Sequence, residues 1–277
     1  MTTTKLFQDK NVLAFLRAQI VPCDHKPWLF IYVPQTVTYA VRERFGDILQ
    51  PCGTIDVRED DVGPNYDGRM STALERFANS EDFSRCRFIS GHFKVFQIDS
   101  VDRLKGARLM TVLRDPVNRV IDDFCAQSAE KRIKPTAQGL LEFAKDPGNQ
   151  NVYLQFLCPK GMWRPKECIE FICNRMDFIG IAEDLIMTMK MFYAIYGIRF
   201  HEGELDKRST SLLTRSTLSV DLVNTMAELN SLDYQIFRHF HDNVVPQKEQ
   251  FFALTDHDQI FKSLDYRRSV HDQQCER

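Results

Sequence analysis

The eight cysteines of this sequence include no CxxC pair and no zinc-finger spacing, so Cys23, Cys52, Cys86, Cys125, Cys158, Cys168, Cys173 and Cys275 read as reduced, mostly buried thiols. Neither sign of charge is in excess: 36 Lys and Arg stand against 38 Asp and Glu, a formal net charge of -2. That balance excludes a general polyanion binder and therefore a nucleic-acid partner; any anion site must be local. No window approaches the roughly 20 uncharged apolar residues that a membrane span requires. Met1 to Gln19 carries Lys5, Asp9, Lys10 and Arg17, which breaks the apolar core a signal peptide needs and makes the chain read as cytoplasmic. There is no internal repeat, and no HxxxH or triad spacing that would suggest a metal site or a serine hydrolase.

What is present is a chain of 277 residues, 43% of them hydrophobic, long enough to bury one large core. The expected organisation is one domain over 1–277, with residues 1–27 as an entry helix and 243–277 as a helical C-terminal extension. Short apolar runs rich in β-branched and aromatic residues predict buried strands at Trp28-Leu29-Phe30-Ile31-Tyr32-Val33, Arg87 to His92, Ala107 to Leu113 and Asp177 to Ile181. Helical periodicity predicts helices over 39–49, 116–132, 183–196, 220–229 and 232–241, and a mainly helical segment beyond Pro135. The stretch Asp56 to Gly68, with Glu59, Asp60, Asp61, Gly63, Pro64 and Asn65, reads as an exposed loop whose spacing does not match an EF-hand. Buried strands alternating with helices predict an α/β fold, a parallel β-sheet flanked by helices. Ligands of such sheets sit beyond the carboxyl ends of the strands.

Three loops fall on that rim, beginning at Pro34, Gly91 and Arg114. A loop that runs from a strand into a helix presents unpaired N–H groups and the positive end of the helix dipole, which suits a phosphate or sulfate. Pro34-Gln35-Thr36-Val37-Thr38-Tyr39 occupies such a place without the GxxxxGK[ST] pattern of a P-loop. In Leu113-Arg114-Asp115-Pro116-Val117-Asn118-Arg119, Arg114 can fork onto phosphate oxygens and Asp115 can cap the next helix. Arg119 can face the ligand, or pair with Asp122 or Asp123. His92, after a glycine turn at a strand end, is the candidate general base, since imidazole titrates near neutrality. Gly161-Met162-Trp163 reads as either a flap or a packed surface loop.

The order strand-PxT, SGHF, strand-RDPVxR-helix resembles the cytosolic-fold and carbohydrate-type sulfotransferases that use 3′-phosphoadenosine 5′-phosphosulfate. Asp177-Phe178-Ile179-Gly180-Ile181-Ala182-Glu183 and Leu232-Asp233-Tyr234 resemble the family's late strand and late helix, so the likeness covers most of the chain. The resemblance implies a P-loop-like sulfotransferase fold and transfer of a sulfuryl group to a hydroxyl, or an amine, of a carbohydrate or small-molecule acceptor. His92 would be the base, and no metal would be needed. It also implies that Pro34, Gln35, Thr36, Val37 and Thr38 hold the 5′-phosphosulfate, while Arg114 and the residue at 122 serve the 3′-phosphate, with Arg119 a further donor-binding candidate. Two positions depart from the pattern: Gln35 stands where the family has lysine, and Asp122 where it has serine. A catalytically degenerate binding or regulatory protein, or a transferase using another phosphorylated donor, therefore stands beside the first reading.

Overall fold

The structure, a computed structural model, describes residues 27–37, 39–49, 52–55, 66–195, 200 and 213–244. The expected entry helix, the acidic loop as far as residue 65, Thr38 and the C-terminal extension from residue 245 lie outside the described residues.

Five parallel strands form one sheet in the order β2-β3-β1-β4-β5. They are β1 (Trp28–Ile31), β2 (Cys52–Ile55), β3 (Phe88–Gly91), β4 (Arg108–Leu113) and β5 (Phe178–Ile181). In register, Trp28 lies beside Phe88 on one side and Arg108 on the other, and Leu113 lies beside Ile181. All four residues of β1, β3 and β5 are buried, the near-continuous apolar pattern of strands covered by helices on both faces.

The helices are α1 (Tyr39–Ile48), α2 (Tyr66–Ala78), α3 (Glu81–Arg85), α4 (Val95–Asp99), α5 (Pro116–Glu130), α6 (Ala137–Lys145), α7 (Val152–Leu157), α8 (Pro165–Arg175), α9 (Leu185–Ile195), α10 (Val220–Leu229) and α11 (Ser231–Val244). Their starts follow local chemistry. The Asp115 carboxylate accepts the Asn118 N–H ahead of Pro116 at the first position of α5, and Thr136 and Ser219 cap α6 and α10 in the same way. A large core lies under the sheet, where Phe45 meets Phe192 edge-to-face at 4.8 Å and Trp28 meets Phe192 at 5.6 Å. A second apolar cluster joins Val117, Val120 and Ile121 of α5 to Leu140, Leu222 and Met226. Among the described residues, no helix is long and apolar enough to cross a membrane.

The strand order explains where a site can form. From β1 the chain goes through α1 to the β2 edge, whereas from β4 it goes towards β5. These neighbouring strands therefore send their exit loops in opposite directions and leave a crevice at their carboxyl ends, the usual ligand position in an open parallel sheet. The Pro34 loop and Arg114 flank that crevice, and His92 follows the adjacent β3.

Candidate functional site

The loop after β1 is closed on itself. The Thr36 hydroxyl donates to the Val33 carbonyl at 2.9 Å, and the Tyr32 hydroxyl donates to the Val37 carbonyl at 2.8 Å. Thr36 and Val37 are buried, while Pro34 and Gln35 are partly exposed. Gln35 turns the chain through the left-handed region at φ 59°. A non-glycine residue there carries a strain of about 1–2 kcal/mol from its Cβ.

Arg114 joins this loop to the second cradle. Its Nη1 donates to the Gln35 carbonyl at 3.1 Å and also pairs with the Asp122 carboxylate. The pair is largely enclosed, with side-chain exposures of 14% and 25%, and the Arg114 Nε is buried with no hydrogen-bond partner among the described residues. Of the two carboxylates that spacing offered Arg119, the structure gives it Asp123, and Asp122 is bound to Arg114 instead. Helical side chains lean towards the N-terminus, which carries Asp122 back onto the strand end. Arg119 is fully buried and faces inward: Nη1 donates to Asp123 at 3.2 Å and Nη2 to the Asn149 carbonyl at 2.9 Å. Burial raises the Asp123 carboxyl, and the Arg119 charge opposes that shift.

The Arg114-Asp115 dipeptide is held from four further directions. The Tyr153 hydroxyl accepts the Arg114 N–H at 2.9 Å and donates to the Arg114 carbonyl. Burial pushes the Tyr153 phenol far above its ordinary value, so it remains a donor. The Glu183 carboxylate accepts the Asp115 N–H at 2.9 Å, and the Asp115 carboxylate takes the Tyr234 hydroxyl at 2.8 Å and Arg215 Nη1 at 3.2 Å. Sequence reasoning assigned no role to Tyr153, Glu183, Arg215 or Tyr234. The sequence did mark the segments around Glu183 and Tyr234, through their likeness to late elements of the family.

His92 is half-buried and lies 4.7 Å from the Tyr32 ring, with Nδ1 2.7 Å from the Tyr32 carbonyl oxygen. A carbonyl only accepts, so Nδ1 carries the proton and Nε2 is the basic nitrogen of the neutral ring. The rim thus combines a basic imidazole nitrogen, one arginine already matched by a carboxylate, and a neutral amide at Gln35. Thr38, the last residue expected to hold a phosphosulfate, lies outside the described residues. Among the described residues, no group of three or more His, Cys, Asp or Glu side chains could hold a metal ion.

No family model matches the chain, and no curated protein matches it closely enough to be a relative.

Proposed function

We propose that this protein is a sulfotransferase-like group transferase acting on a hydroxyl, or an amine, of a carbohydrate or small-molecule acceptor, with 3′-phosphoadenosine 5′-phosphosulfate as donor. The observation that carries this reading is the Arg114–Gln35 hydrogen bond, which makes the two cradles one rim beside His92. When bound, the donor supplies an activated sulfuryl group on a phosphate leaving group. Arg114, whose Nε has no hydrogen-bond partner among the described residues, fits the 3′-phosphate of such a molecule, while the Asp122 carboxylate beside it opposes that charge.

The chain's own residues divide the chemistry. His92 Nε2 takes the proton of the acceptor hydroxyl as its oxygen forms the new bond to sulfur and the sulfur–phosphate oxygen bond breaks. Loop N–H groups and the neutral Gln35 amide then face the charge left on the phosphate, while Arg114 anchors the donor's 3′-phosphate. A neutral donor is about half as strong as a charged one, so transfer is slow compared with a site that has lysine at 35.

Calorimetric titration with 3′-phosphoadenosine 5′-phosphate tests the reading. Binding lost in Arg114→Ala, and turnover lost in His92→Ala with binding retained, are the expected results. No binding to the unaltered protein sinks the proposal. One observation favours a second reading, a binding or regulatory protein without transfer or a transferase with another phosphorylated donor: Asp122 already neutralises Arg114. Binding without turnover, or preference for a nucleotide lacking the 3′-phosphate, would select it.

A further inference from the structure

Beyond the two cradles, the loop leaving β3 leads to a cavity. Phe93 is wholly buried, and Lys94 continues in extended conformation at φ -102° and ψ 153°. Lys94 lines a cavity of about 210 Å³ together with Phe96, Leu154, Cys158, Lys160 and Trp163. Its walls are mostly apolar, and Trp163 stands at its edge 62% exposed, one of three large apolar side chains so exposed among the described residues.

The charge beside this apolar space is uneven. Lys94 Nζ lies 2.8 Å and Lys160 Nζ 3.6 Å from the same Asp67 carboxylate. Among the described residues, two ammonium groups thus share one carboxylate, a surplus of one positive charge. Lys160 also sits 4.4 Å above the Phe96 ring and is 70% exposed, so a ligand can reach its ammonium. Drug-sized ligands occupy cavities of roughly 300–1,000 Å³, so this smaller space suits a single ring.

We propose that the cavity binds a small monoanion with one flat apolar ring, its anionic group between Lys94 and Lys160 and its ring against Trp163.

The protein carries its own reporter, because it has two tryptophans and the other, Trp28, is 2% exposed in the core. Trp163 emission of the full chain would be followed during titration with 4-hydroxyphenylacetate, its neutral amide and the cation tyramine. A saturable change with the anion, at least tenfold weaker binding of the other two, and at least fivefold weaker binding to Lys160→Gln are expected. Equal affinity for all three probes, or an unchanged Lys160→Gln, overturns the proposal. Trp163→Phe should lose the optical signal while calorimetry still detects binding; loss of the signal alone therefore does not count as loss of the site. No nucleotide is needed, so failure here leaves the rim's function standing.

Discussion

Asp122 sets how strongly Arg114 can hold an added anion. Like charges about 4 Å apart repel by about 4 kcal/mol at an effective dielectric of 20, a figure to be reduced here because the Asp122 side chain is 25% exposed. Asp122→Ser removes the competing carboxylate and supplies a hydroxyl donor. Its affinity for 3′-phosphoadenosine 5′-phosphate should rise by at least tenfold in calorimetry at low salt. An unchanged affinity would mean that no phosphate approaches this side of Arg114. Gln35 poses the complementary question. It already occupies the left-handed region, so Gln35→Lys adds a charge without adding backbone strain. The variant should fold normally and transfer at least ten times faster, measured as sulfuryl transfer under saturating acceptor. Unaltered turnover would show that charge at position 35 is not what limits the rate.

At the scale of elements, β5 and α9 pack as closely as a glycine permits. A Cβ at Gly180 would lie 2.3 Å from the Thr188 Cγ2 and 3.2 Å from the Val112 Cγ2. Thr188 cannot easily turn away, because its hydroxyl accepts the Ile181 N–H at 2.8 Å and donates to the Ile181 carbonyl at 2.9 Å. Gly180→Ala should therefore cost about 1–3 kcal/mol by overpacking, read as a lower Tm or a lower denaturant midpoint. The strand itself was legible because Phe178-Ile179-Gly180-Ile181 is an apolar run. Strand β2 was not, since in Cys52-Gly53-Thr54-Ile55 only Ile55 is a large apolar residue, against three in β5. Helices α2 and α3 were also missed: Asp67 and Gly68 sit in the first turn of α2 and read as a continuation of the acidic loop. Within the site, Asp115-Pro116 was legible because its chemistry is local, whereas Gly91, read as a turn, is the last residue of β3 and lies beside Ile31 in register. The groups that hold Arg114 and Asp115 come from 39, 68, 100 and 119 residues away, separations for which a single sequence carries no periodic signal.

The whole molecule is tied together by buried acids. Asp233 of α11 accepts the Tyr153 and Leu154 N–H groups at 2.9 and 3.1 Å, so it joins the last helix to the tyrosine that supports Arg114. Asp177 likewise accepts the Leu109 N–H at 2.9 Å and ties the approach to β5 to β4. Burial is the largest influence on Asp123, Asp177, Glu183 and Asp233, and it raises all four; Asp233 is pushed from 3.8 up to about 6. A carboxyl whose folded value is raised stabilises the fold fully below its unfolded value, and that contribution is lost as pH rises through the folded value. For Asp233 the window runs from 3.8 to about 6, a loss on the order of 3 kcal/mol at 1.36 kcal/mol per unit. The other three acids act in the same direction. Denaturant midpoints should therefore fall between pH 4 and 6.5. Asp233→Asn cannot ionise and should flatten that slope, because its amide resembles the protonated acid. Parallel pH profiles for the two proteins, or a midpoint that climbs through this window, would mean that the N–H groups at the start of α7 hold Asp233 ionised despite its burial.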